Sequence, residues 1–393
     1  MSIPYIFTTL FYTFVGLFIA ADASLVSFNL TGAFPALRWV RVHFITLGIL
    51  SQVVFGLLPS LVANHAKKAK PSMRWDIWLS LNAGFALLIA GFSGMNHPQI
   101  FAGGTLVFIA TLLLFGELWN LRGNEAPASL KFYITGVAYL LLGIILGTGL
   151  FLNWSEALHI RVPLEVHIHA NSWGFMSLVF AGLLVDFTPM ITGKPLGEKK
   201  AIDSIYWGMT LGAFGIILGP WIPASISEPP TVAGLLLHLA GTIWLVVLMI
   251  RALKASGHLS QAGGWHLVAS YAWILMPVLV APTILLKLIP SGPVESTAPQ
   301  PLIYGWVFQF GIALIPYIFR RTLLKEKNPA LGGSWLTLTL LTLGGLIIWI
   351  SIFSPIENVL YGIGFALYTI AFIQPLKELL DIVRKATVKF EEA

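Results

Sequence analysis

Two histidines one residue apart, in the run Val166-His167-Ile168-His169, sit just inside the start of a long apolar stretch. Imidazole ligates metals through a neutral nitrogen, and an ionisable side chain inside a bilayer is costly enough to mark a functional site by default. Residues two apart on an α-helix are separated by about 200° around its axis, so His167 and His169 point to opposite flanks. One helix would then serve two sites, such as two haems packed on either side, rather than one shared metal ion. The chain has no cysteine, which removes thiolate ligands, disulfides and thioether-attached haem. A metal here rests on His, Met, Tyr or carboxylates.

The elements that position this pair belong to a membrane protein. Hydrophobic residues make up 57% of the 393 and charged residues 10%, against about a quarter charged in soluble domains. Apolar runs of spanning length predict an all-α polytopic fold with twelve helices, at roughly 4–21, 36–63, 75–93, 101–120, 132–152, 164–190, 204–222, 232–251, 265–288, 302–319, 336–354 and 357–376. Residues 1–393 read as a single integral membrane domain. Basic loops follow every even-numbered span, and with the tail they hold 19 of the 23 Lys and Arg residues. By the positive-inside rule both termini are expected on the cytoplasmic side of an inner membrane. Residues 4–21 are preceded by no Lys or Arg, so they read as the first helix and not as a cleaved signal. The net charge of +6 is accounted for by these loops facing anionic lipid and does not point to nucleic acid.

Four basic residues fall on the outer side: Arg38, Arg41, Arg161 and Lys287. Three of them precede the two spans that carry His43, His167 and His169. The same two spans share spacing. His43 is followed by Gly48 and Gly56, and His169 by Gly174 and Gly182 at the same offsets. The tenth span, with Gly305 and Ala313, is a fainter third copy in which Gln300 stands at the histidine position. Related helices at two, six and ten imply a pseudo-threefold arrangement of four-helix repeats over about 1–125, 126–255 and 256–393.

The sixth span resembles the helix of haem-copper oxygen reductase and nitric oxide reductase catalytic subunits that ligates both haems through His-x-His. Gly182 and Pro189-Met190-Ile191-Thr192-Gly193 fall where that helix carries its own glycine and Pro-x-x-Thr-Gly turn. Arg38-Trp39-Val40-Arg41-Val42-His43 is similar to the family's Arg-then-His start of helix two. The resemblance implies that His169 binds a low-spin haem, that His167 binds a high-spin haem, and that His43 is the opposite axial ligand of the first. The chain differs from the family in having the pair on its sixth helix instead of its tenth. It also lacks an adjacent His-His pair and a His-Pro-Glu-Val-Tyr-like segment, so copper has no recognisable motif.

The haem reading agrees with the chemistry of the residues. Two neutral imidazoles fill both axial positions of an iron and make an electron-transfer centre, whereas an open position permits chemistry with a diatomic gas such as NO or O2. One or two haems, of b type, are expected, with Arg38, Arg41 and Arg161 at the level of the propionates; interfacial anchoring explains the same arginines. His238, about seven residues into the eighth span, is either a ligand opposite His167 or a metal-holding residue, against the plainer reading of a helix–helix hydrogen bond. Glu165 is an outer-shell partner for imidazole or an interfacial residue. Asp186 and Glu117 lie near cytoplasmic helix ends, with no polar side chains visible in the sequence between them and the histidines. His266 reads as an interface residue, and His65 and His258 as loop residues. A quinol or a cytochrome would be the electron donor, with an additional redox subunit as partner. The competing reading is a twelve-helix transporter of the major facilitator type without haem, although no acidic-Arg-Gly signature follows the second helix. A copper or zinc handling protein using His167, His169 and His238 is a third class, weakened by the opposite facing of the first two.

Overall fold

The computed structural model describes every residue except 35, 124–126, 290, 291, 293, 295, 296, 392 and 393. Among the described residues every regular element is helical. The long helices are α1 (Ile3–Ser27), α2 (Leu37–His65), α3 (Trp75–Gly94), α4 (His97–Leu121), α5 (Leu130–Leu152), α6 (Pro163–Thr192), α7 (Lys199–Trp221), α8 (Ala224–Ala255), α9 (Ala262–Leu285), α10 (Pro299–Leu324), α11 (Trp335–Ser351) and α12 (Glu357–Glu391). Eleven are long and apolar enough to cross a membrane, and α11 is a shorter apolar helix of 17 residues. At about 1.5 Å per residue α11 still covers roughly 25 Å, close to the thickness of a hydrocarbon layer. All twelve expected spans are therefore helices. α12 continues past its apolar part because Leu376, Leu379, Ile382 and Ala386 keep a buried stripe while Lys377, Arg384 and Lys385 face outward, a pattern a hydropathy window does not register.

The outward faces of these helices are apolar. On α1 Phe7, Phe11, Phe14 and Phe18 are exposed at helical spacing, and on α7 Trp207, Leu211 and Phe214 are exposed in the same way. A soluble helix presents charge on that face; these contact lipid.

Burial separates the helices into two kinds. In α2, α6 and α10, 83%, 78% and 94% of the apolar window is buried, against 33–44% in the other spanning helices. Those three are the helices in which the sequence shows the glycine repeat. Each contains a π-helical stretch near its start: Phe44–Leu50, Ala170–Met176 and Ile303–Phe308. The first two begin directly after His43 and His169. Insertion of a π-turn rotates the following side chains and leaves main-chain groups looser, and such turns occur often at functional positions. Each helix also carries an internal proline further on, Pro59, Pro189 and Pro316.

Two compact units divide the chain. One is Met1–Gly56 with Leu253–Ala393, and the other is Leu57–Ala252. Within the first, α1 packs on α12, α11 packs on α12, and α9 packs on α10. Tyr5 of α1 lies where a Cβ on Gly56 would stand, at 2.6 Å. Within the second, α3 and α4 form a hairpin, α5 packs on α4 and α6, and α7 packs on α6. Tyr133 of α5 covers Gly182 and Tyr139 covers Gly174, at 2.6 Å and 2.5 Å from the Cβ positions. The repeated glycines thus admit aromatic rings, in the small-residue mode of packing that apolar solvent favours.

The α3–α4 hairpin shows this mode without polar help. A Cβ on Gly84 would lie 2.8 Å from the Gly103 carbonyl and 3.0 Å from the Val107 nitrogen, both backbone atoms. Gly116 of α4 has open space instead. Gly84→Ala is expected to lower stability by about 1–3 kcal/mol, the usual cost of overpacking, read as a lower midpoint of thermal unfolding in detergent. Gly116→Ala is expected to leave that midpoint unchanged; equal effects of the two would contradict the packing described.

Candidate functional site

His169 owes its environment to a proline on another helix. Pro220 lies four residues after Ile216 in α7 and has no N–H to give to the Ile216 carbonyl. The His169 ring takes that carbonyl, Nδ1 to oxygen, at 3.0 Å. A carbonyl only accepts, so Nδ1 carries the proton and the lone pair of the neutral ring is on Nε2. Metal-binding imidazoles are held in this way, with the second nitrogen fixed by a carbonyl or carboxylate.

The same end of α7 anchors the start of α6. Arg161 N–H donates to the Trp221 carbonyl at 3.2 Å and Val162 N–H to Pro220 at 2.9 Å. The Arg161 guanidinium adds Nε to Ile222 and a terminal nitrogen to Gly219, at 3.0 Å and 3.2 Å. A cation on the last carbonyls of a helix also complements its dipole. Arg161 therefore ties α6 to α7 and, with Ser155, Glu156, His159, Ile160, Trp221 and Pro223, lines an open cleft of about 460 Å³.

His167 turns to the other flank of α6, as the spacing requires. Its Nδ1 lies 2.8 Å from the Gly143 carbonyl of α5, so this ring too carries its proton on Nδ1. Asn171, one turn on, donates to the His167 carbonyl at 2.9 Å. α5 leaves room for both. A Cβ on Gly147 would stand 2.5 Å from His167 Cε1 and 2.7 Å from Nδ1, and one on Gly143 would overlap the Asn171 amide.

His238 is buried, with Nε2 3.0 Å from Ser177 Oγ and Nδ1 3.2 Å from Thr242 Oγ1. Its ring meets Trp173 edge-on at 5.1 Å, and its backbone fills the space beside Gly212. Nε2 thus bonds across to α6, while Nδ1 meets a hydroxyl one turn on in its own helix. Among the described residues no three His, Asp or Glu side chains gather into a metal-binding group, so His167, His169 and His238 do not form one cluster.

In the other compact unit His43 repeats the pattern of His169 by a local route. Nδ1 lies 2.8 Å from the Trp39 carbonyl one turn earlier, and the ring stacks on the Trp39 indole at 4.1 Å and 11°. Arg41 lies over Tyr361 and Phe365, at 5.5 Å and 5.2 Å, with its Nε buried and unmatched by an acceptor. Tyr304 donates to the Arg41 carbonyl at 3.4 Å. Gln300, at the position of the repeat that holds histidine in α2 and α6, is buried with its Oε1 unmatched. His266 is buried: its Nε2 meets the Ser334 carbonyl and Thr337 Oγ1, both at 3.1 Å, and Gly333 at φ 88° leaves space for the ring. Its Nδ1 is buried without a partner.

The contacts that join Asp186 to its partners were not legible in the sequence. Asp186 of α6 is 5% exposed and accepts from the Tyr133 hydroxyl at 2.7 Å, while His65 at the end of α2 lies 3.0 Å away through Nε2. The one local signal is spacing, since Asp186 is four residues beyond Gly182, which seats the same tyrosine ring.

No protein-family model and no curated protein sequence matches this chain. Its chemistry is therefore argued from its own residues. Gly147→Ala is expected to push the His167 ring off the Gly143 carbonyl and to cost about 0.5–1.5 kcal/mol for that bond, with overpacking in addition. In a His167→Ala background the same change should cost much less, a coupling that a double-mutant cycle of thermal stabilities measures. Equal costs in both backgrounds would show that Gly147 does not hold the imidazole.

Proposed function

We propose that this chain is a membrane haem protein of the oxidase subunit I type, serving electron transfer or chemistry on a diatomic gas. The observation that carries the reading is His169, whose Nδ1 proton is committed to a carbonyl that Pro220 leaves open. With the proton on Nδ1, the lone pair of the neutral imidazole is on Nε2, as an axial haem ligand requires. In this reading His167, whose ring meets its own carbonyl on the opposite flank of the helix, is the second ligand expected from His-x-His. Nδ1 of His43 has the same kind of partner.

The chain has no cysteine for thioether attachment, so the haem in this reading is held without covalent links, as b type is. When bound, such a group supplies one-electron redox chemistry. The protein's part is to hold each imidazole in one tautomer and one orientation and to exclude water around it. The buried Nε of Arg41 is a donor suited to a carboxylate such as a propionate. Arg161 keeps a supporting role through its bonds to α7, and His238 is left outside the ligand set because hydroxyls meet both its nitrogens. In this reading the basic loops lie in the cytoplasm with both termini, the membrane is the inner one, and a quinol or cytochrome brings the electrons.

Purified protein is expected to show a Soret band and sharp α and β bands on reduction. His169→Ala should remove the low-spin signal while the fold persists, and His167→Ala should alter a different one. His43→Ala is the corresponding test of the ligand from α2. A folded, colourless preparation, supplemented with haem and still colourless, would overturn the proposal and leave a carrier as the better reading.

A further inference from the structure

The open cleft beside Arg161 is built from one closed turn and one helix end. Residues Trp154–Ala157 form a short helix after α5, closed by Ile160 N–H on the Ser155 carbonyl at 2.9 Å and His159 N–H on the Glu156 carbonyl at 3.1 Å. His159 takes the left-handed position, φ 50°, where glycine is usual. A side chain is kept there at a conformational cost, and its imidazole lines the cleft. The floor is apolar: Ile160 belongs to a buried cluster with Leu146, Val166, Ala170 and Ile217, and Trp221 packs against it. The rim is charged. Arg161 gives Nε and one terminal nitrogen to the Ile222 and Gly219 carbonyls, and its other terminal nitrogen has no acceptor in the protein. Glu156 lines the same cleft but, among the described residues, takes part in no ion pair. Both charges are therefore open to a ligand. The cleft also continues onto the lipid-facing side of α7. Trp221 follows Phe214 by seven residues, about 20° round the helix, and Phe214 and Leu211 are exposed.

We propose that this cleft seats the head group of a zwitterionic phospholipid of the phosphatidylethanolamine type, with its phosphate on Arg161 and its ammonium on Glu156. A guanidinium nitrogen is a charge-assisted donor to phosphate, and a carboxylate accepts from an ammonium in the same way. A head group with negative charge alone would be repelled by Glu156, and one with positive charge alone by Arg161. Ser155 and His159, on the same rim, add hydrogen-bonding groups for the ester oxygens. The volume of about 460 Å³ is that of a small-ligand site. Its apolar floor and the exposed flank of α7 receive glycerol and acyl chain, which a soluble phosphoamine lacks, so the occupant is a membrane lipid. The seat lies at the end of α6 and α7 opposite the basic loops and does not depend on a haem at His169.

The test uses the full chain, stripped of lipid in detergent and titrated with phosphatidylethanolamine, phosphatidylcholine or phosphatidylglycerol of the same acyl chains, with bound lipid counted by native mass spectrometry. The first phosphatidylethanolamine is expected to bind at least about fivefold more tightly than either other lipid, which is what one partly exposed ion pair contributes. Phosphatidylglycerol has no cation, and the trimethylated amine of phosphatidylcholine has no N–H for the carboxylate. Glu156→Gln should remove the preference, while Glu228→Gln, a second exposed carboxylate at the same end, should keep it. Glu156 is itself exposed, so its substitution leaves the fold intact, whereas Arg161 also ties α6 to α7 and stays unchanged in both variants. Equal binding of the three lipids, or a preference that survives Glu156→Gln, would overturn the proposal. Displacement of the lipid by an equal concentration of water-soluble glycerophosphoethanolamine would overturn it as well, because the cleft would then be taking a soluble head group.

Discussion

A carbonyl without its helical partner is the feature on which the rest of the candidate site depends. Pro220 cannot give an N–H to Ile216, and a bare carbonyl in an apolar surrounding costs free energy until something donates to it. His169 does so. That single bond orients the imidazole, sets its tautomer and docks α6 on α7, and Arg161 and Val162 extend the same seam along the last turn of α7. The bond that satisfies the backbone also leaves the ring's lone pair on Nε2.

The membrane explains why the inner helices differ from the others. With lipid outside, burial gives no hydrophobic gain between apolar helices, so close approach relies on small residues and on matching polar groups inside. α2, α6 and α10 accordingly combine glycines that seat aromatic rings with π-turns and prolines that make main-chain groups available. Tyr5 against Gly56, Tyr133 against Gly182 and Trp273 against Gly305 are the visible result. Where the glycine repeat is strongest, in α2 and α6, a histidine stands at its head; in α10 Gln300 takes that place.

Much of this was legible in the sequence. Apolar length and charge gave twelve helices, and the offsets His43–Gly48–Gly56 and His169–Gly174–Gly182 marked two of the three helices that prove most buried. The two-residue spacing of His167 and His169 correctly places them on opposite flanks, bound to α5 and α7. Contacts that depend on a second helix were less legible. Pro220 reads as a helix end until Ile216 is seen to need a donor. Thr135 of α5 and Tyr206 of α7 are each ordinary alone, and only pairing the helices joins them. The partners of His65 and His266, Asp186 and Ser334, are distant in sequence, so neither contact shows in the local pattern.

The most direct test of the account is an experimental density map of the protein purified with haem, inspected at Nε2 of His169. The account predicts a planar macrocycle there with its iron at coordinating distance, and Nδ1 still on the Ile216 carbonyl. A well-resolved map in which Nε2 of His169 instead bonds protein or packs against lipid, with no macrocycle beside it, would contradict it.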